Sequence, residues 1–183
     1  MTLTFPGFDS PAVGFEQPFE MLLACHERVR RSLALLGRLV RHVDEHGHDE
    51  QSQSAASDVL RYFDLAVPLH HEDEERHVFP ILADSGDGGL ADTVAALHRD
   101  HDRMSALWGG LRSTLEAWSR SGAAGTADHV FRQHLAEFDL IYAGHLATEE
   151  EIVFPAARDR MHGHLLADMS ADMERRRSVA SRP

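Results

Sequence analysis

Two short strings hold most of the side chains that could do chemistry. HHEDEERHVFP contains His70, Glu74, Glu75, Phe79 and Pro80, and GHLATEEEIVFP contains His145, Glu149, Glu150, Phe154 and Pro155. Each residue of the second set lies 75 positions after its counterpart in the first. The same offset carries His26 onto His101, and the apolar Leu60, Phe63 and Val78 onto Leu135, Phe138 and Val153. On a helix, residues four apart lie one turn above each other on one face. His70 with Glu74, and His145 with Glu149, can therefore each reach one spot. Four imidazoles (His26, His70, His101, His145) and two carboxylates (Glu74, Glu149) make a donor set suited to two metal ions. Carboxylates buried in an apolar core are costly unless cations compensate them. Two imidazoles per ion with both carboxylates bridging give four protein ligands each. A bridging oxo or hydroxo group makes five and leaves one position open on each ion. Imidazole with carboxylate suits iron, and also manganese or zinc.

Four amphipathic segments must position these groups. Leu22, Cys25, His26, Val29, Leu33, Leu36 and Val40 share one face of a helix starting near Phe19. A second helix follows, with Ser52 or Ser54 as N-cap and an inner face of Leu60, Phe63, Val67, His70, Glu74, Val78 and Ile81. Pro68 is expected to kink it before His70, and Pro80 to kink or end it. After an Asp84–Gly89 loop, a third helix runs from about Leu90 to Ser119 with Val94, Leu97, His101 and Met104 inward. The fourth runs from about Ala127 to Arg158 with Phe138, Tyr142, His145, Glu149, Ile152 and Val153 inward. The expected fold is an all-α, up-down-up-down antiparallel four-helix bundle built from a repeated helical hairpin. Residues 1–15 read as an irregular arm, 16–160 as the bundle and 161–183 as an extension with a short helix near Leu165–Arg175 and a frayed basic end.

With these residues in place, the pattern H…HxxxE…H…HxxxE resembles the hemerythrin-like HHE cation-binding family over about residues 20–160. The resemblance implies a four-helix bundle around a non-haem di-iron centre, its motif falling on His26, His70, Glu74, His101, His145 and Glu149. The oxygen-carrying hemerythrins are similar in plan but use a fifth His. His71, His77 and His98 are the candidates for that role here. A symmetric four-His site is similar to the di-iron proteins linked to nitric oxide, peroxide and iron–sulfur cluster repair. The leading expectation is a soluble di-iron protein that binds or reacts with oxygen, nitric oxide or peroxide. The alternatives are a detoxifying or cluster-repairing enzyme and a metal-dependent redox-sensing module. No proton-relay or organic-substrate motif separates these, and no catalytic residue is assigned.

The competing pair His71 and Glu75 is also four apart, but the offset sends His71 to Leu146, which cannot bind metal. Glu75 and Glu150 read as solvent-facing or as supports of the ligands. Tyr142 reads as core packing, Cys25 as inert filler, and His42, His46, His48 and His134 as surface residues. The run Arg175–Arg177 reads as solvated charge. A formal net charge of -12 argues against a nucleic-acid partner. One cysteine excludes an internal disulfide and a cysteine-ligated cluster. No apolar run approaches membrane-spanning length, and no basic leader precedes one, so the default setting is cytoplasmic, without a membrane partner.

Overall fold

The computed structural model describes residues 14–180. The expected irregular arm therefore lies, but for its last two residues, outside the described part. The described residues are all-helical, with no strand among them. Helix α1 (Pro18–His46) is followed by a long second arm made of α2 (Glu50–Arg61), α3 (Val67–Asp73) and α4 (Phe79–Ala83). A third arm is α5 (Gly88–Trp118), and the fourth is α6 (His129–Thr148) with α7 (Phe154–Arg158). Helix α8 (His164–Ala180) closes the chain and packs against α1 and α3. Among the described residues no helix is long and apolar enough to cross a membrane.

The starts of the arms are set by side chains that satisfy the free amides of a first helical turn. Asp49, not Ser52 or Ser54, caps α2: its carboxylate accepts from Ser52 N–H, and the Ser52 hydroxyl accepts from Asp49 N–H in return. Asp87 caps α5 through Gly89 and Leu90, so this helix begins inside the expected loop. Asp128 caps α6 through Phe131 N–H. Gly47, with φ of 79°, ends α1 in a conformation that residues with a Cβ avoid. Gly110 lets α5 approach α6, because a Cβ there would lie 2.5 Å from the His134 ring. This explains a Gly that helix propensity alone disfavours, and it makes His134 a half-buried packing residue rather than a surface one.

The second and fourth arms stay continuous through their prolines. Tyr62–Ala66, Glu74–Val78 and Glu149–Val153 are π-helical turns, and Pro68, Pro80 and Pro155 each follow one by two residues. A proline lacks the N–H of an i→i−4 bond and its ring collides with the carbonyl four residues back. That carbonyl belongs to Asp64, Arg76 and Glu151 respectively, each inside the widened turn. The extra residue accommodates the ring, so Pro80 does not end the helix. The two turns that begin at Glu74 and Glu149 stand 75 residues apart, in the offset of the sequence pattern. An added residue also rotates the face that follows. Leu82 is buried where Ile81 was expected, and Ile152 is exposed beside a fully buried Val153.

Two apolar clusters flank the centre of the molecule. One gathers Val29, Leu36, Phe63, Leu111, Phe138 and Tyr142; the other Leu22, Phe79, Leu97, Phe154, Met169 and Met173. The polar residues of the repeated pattern lie between them. Helix α8 runs to Ala180, so the described part of the expected frayed end is helical, and residues 181–183 lie outside the described residues. Its Arg176 and Arg177 meet Asp73, a fully buried carboxylate on α3, and Arg176 also bonds Asp172 at 2.8 Å. The expected solvated run therefore contains the counter-ions of a buried acid.

Candidate metal centre

α1 supplies His26, the second arm His70 and Glu74, α5 His101, and the fourth arm His145 and Glu149. All six side chains are buried. They form two groups, His26, His70, Glu74, Glu149 and Glu74, His101, His145, Glu149, within each of which the donor atoms lie no more than 4.8 Å apart. The two carboxylates belong to both groups. Glu74 turns Oε1 toward His70 Nε2 at 3.2 Å and Oε2 toward His101 Nε2 at 3.6 Å. Glu149 turns Oε2 toward His26 Nε2 and Oε1 toward His145 Nε2, each at 3.2 Å. Each carboxylate thus offers one oxygen to each imidazole pair.

The tautomers imposed from outside leave these contacts without protons. Glu150 accepts from His26 Nδ1–H at 2.8 Å, and Glu75 accepts from His101 Nδ1–H at 2.7 Å. Asp100 faces His145 Nδ1 at 3.4 Å. A neutral imidazole held in this way presents a lone pair at Nε2. His101 Nε2 and His145 Nε2 are 3.0 Å apart, and His26 Nε2 points at a carboxylate oxygen. Lone pair against lone pair is repulsive without a cation between. The four carboxylate oxygens, His26 Nε2 and both nitrogens of His70 are buried without a hydrogen-bond partner. Buried polar atoms are rarely left so, and two cations would satisfy them. The donor set therefore fits a metal pair.

Without metal, protons must do the work of the cations. Burial, and then Glu149 beside it, push the Glu74 carboxyl well above the usual range. Burial also acts upward on Glu149, but a proton taken up on Nε2 of His145 or His26 in the metal-free protein outweighs it and holds that carboxyl low. At His145 burial favours the neutral ring, yet Glu149 and Asp100 outweigh it and raise the imidazole. Burial, then the neighbouring imidazoles, lower His70, His71 and His101.

A pH dependence follows. The raised Glu74 gives the metal-free fold stability that is complete below the ordinary carboxylate range and is lost as pH rises through the folded value. The lowered His70, His71 and His101 give stability that is complete above an ordinary imidazole value and is lost as pH falls below it. We expect the melting temperature of metal-free protein to fall as pH rises above the ordinary imidazole value, and that of metal-loaded protein to hold, because bound cations keep both carboxylates ionised. Parallel curves in thermal melts of the two forms would contradict this.

Glu75 and Glu150 support ligands across the pattern. Glu75 follows the first HxxxE yet orients His101, and Glu150 follows the second yet orients His26. Arg30 fixes Glu150 at 2.9 Å. Asp100, which faces His145, gave no signal in the sequence, because its counterpart under the offset is Cys25. Cys25 lies 3.3 Å from the Tyr62 hydroxyl, and burial pushes its thiol to about 11, so it stays protonated. Tyr142 is buried edge-on against Phe138, as core packing requires. His42 pairs with Asp49 at the surface and His46 is exposed, whereas half-buried His48 bonds the Gly125 carbonyl at 2.7 Å.

The candidate fifth imidazoles stand outside both groups. His77 Nε2 is engaged by Asp172 of α8 at 3.0 Å. His98 is half-exposed, edge-on against Phe79. His71 lies flat against His101, with ring centroids 3.8 Å apart.

The family model for the hemerythrin HHE cation-binding domain matches residues 17–157, which span every one of these side chains. The chain belongs to the hemerythrin HHE cation-binding domain family. It is 28% identical over 165 residues to an uncharacterised protein of Haemophilus influenzae, covering 90% of this chain and 92% of that one. Uncharacterised proteins of Mycobacterium bovis and Mycobacterium tuberculosis are 29% identical over 163 residues, covering 85% of this chain. The match spans 59% of the length of each mycobacterial relative. Membership in the HHE family implies cation binding, and the two His/Glu groups are where the HHE fold of this chain could hold the cations.

Proposed function

We propose that this HHE protein is a non-haem di-iron protein that binds or reacts with oxygen, nitric oxide or peroxide. The observation that carries the reading is the division of each buried carboxylate between two imidazole pairs. His26 and His70 would hold one ion, His101 and His145 the other, and Glu74 and Glu149 would bridge them. Manganese or zinc would suit the same donors. The four long arms are read as an up-down-up-down antiparallel bundle of two repeated hairpins over residues 16–160, with 161–183 as an extension. The π-helical turns at Glu74 and Glu149, in the same 75-residue offset, support that duplication. The setting is read as cytoplasmic.

A ferrous pair, when bound, supplies electrons and open positions for a ligand of a few atoms. The protein's own part is to fix and enclose. Glu75, Glu150 and Asp100 set the imidazole tautomers, which strengthens the donors. Phe79 stacks on His101 and Phe154 on His26, which keeps bulk water from the centre.

The test is anaerobic ferrous loading followed by metal analysis and oxidation. About two irons per chain are expected, with an absorption that azide shifts. One iron per chain, or none, would end the di-iron reading.

A further inference from the structure

His71 is unused by the metal arrangement, yet it is built into its wall. Its ring is nearly parallel to that of His101, with 9° between the planes, and its centroid is 6.2 Å from that of His145. Its Nε2 is buried and has no hydrogen-bond partner. A polar atom left so is costly unless something enters to satisfy it. Among the described residues no protein group does, and the ring is absent from both sets of clustered donors. The 75-residue offset pairs His71 with Leu146, which is buried in the apolar core. Only one of the two imidazole pairs therefore has an extra imidazole beside it.

A surface depression between α1 and α6 is floored by Tyr142 and Leu146 and rimmed by Arg30, Arg38, Arg41 and Asp139. The Tyr142 ring centroid lies 6.5 Å from that of His71.

We propose that His71 is a ligand-contacting residue: its Nε2–H donates a hydrogen bond to a small anion, of the azide or hydroperoxide class, taken up at the position of His101 and His145. The inference rests on the di-iron reading and deepens it. It makes the two positions unequal, one with a hydrogen-bond donor beside the incoming anion and one without.

The test compares wild type, His71→Leu and His71→Gln, each loaded with iron, oxidised and titrated with azide. Leu is the residue that the fold already carries at the counterpart position, and Gln keeps an N–H donor. Both variants should retain the iron content of wild type. His71→Leu should bind azide roughly 10-fold more weakly, since a hydrogen bond to a charged group is worth about that factor. Its azide-dependent absorption should also move, and His71→Gln should recover much of both. Full iron with unchanged azide affinity and spectrum in His71→Leu would overturn the role of His71 and leave the di-iron reading standing. Loss of iron from His71→Leu would overturn it differently, by making His71 a metal ligand. Wild type that holds no iron pair would remove both readings together.

Discussion

Glu74→Ala is expected to abolish the metal pair, although it removes only one of six donor residues. Glu74 offers an oxygen to each imidazole group, so its loss weakens both positions at once. Metal analysis after anaerobic iron loading should fall from about two irons per chain to below one. Stability follows by linkage, because a metal that binds only the folded chain stabilises it by ~4 kcal/mol when present at a thousand times its dissociation constant. For a domain of this size that increment corresponds to roughly 10 °C in melting temperature. The variant should lose this metal-dependent rise. The informative contrast is Glu75→Ala. Glu75 is substantially exposed and touches the centre only through His101 Nδ1. Its removal should leave both irons in place and weaken metal affinity by roughly 10- to 100-fold, the usual effect of deleting a residue that orients a ligand. Equal metal loss in the two variants would show that the oxygens of Glu74 have no special place.

The second large effect lies outside the metal centre. The double variant Arg176→Ala/Arg177→Ala should destabilise the protein by ~3–5 kcal/mol, the cost of leaving a buried carboxylate without its counter-ions. Asp73 is fully buried immediately before Glu74, and both guanidinium groups come from α8. Arg176 also bonds Asp172, whose carboxyl is held at about 2 because hydrogen bonds from His77 and Arg176 outweigh its burial. Adding Asp73→Asn to the double variant should recover a large part of the loss, since the stranded charge is then gone. Arg175 is mostly exposed, and Arg175→Ala should change stability by less than ~0.5 kcal/mol. Thermal or denaturant unfolding checks all three. A double variant as stable as wild type would mean that Asp73 reaches water or a proton by another route.

Much of the candidate site was legible because its information is local. His70 with Glu74, and His145 with Glu149, share a face by helix geometry alone, and the 75-residue offset marks the groups that belong together. The helix starts were less legible. Asp49 rather than a serine caps α2, because a carboxylate and a hydroxyl can exchange bonds with each other's amides. Ile81 and Ile152 were expected inward because a regular period was extended through the prolines. The π-helical turns insert a residue there and rotate the face, so Leu82 is buried in place of Ile81, and Val153 is buried as expected while Ile152 is exposed.

Sequence by itself determined the helical class, the family and the six residues that the fold gathers, since each follows from periodicity along one helix or from an offset along the chain. The tertiary structure alone decided which groups from different helices meet. It sent Glu75 to His101 and Glu150 to His26, crossing the halves. It also set Arg176 and Arg177 on Asp73, and laid His71 against His101. The reason is physical: a helix fixes the direction of its own side chains, but the partner on a neighbouring helix depends on how the two helices pack and rotate against each other.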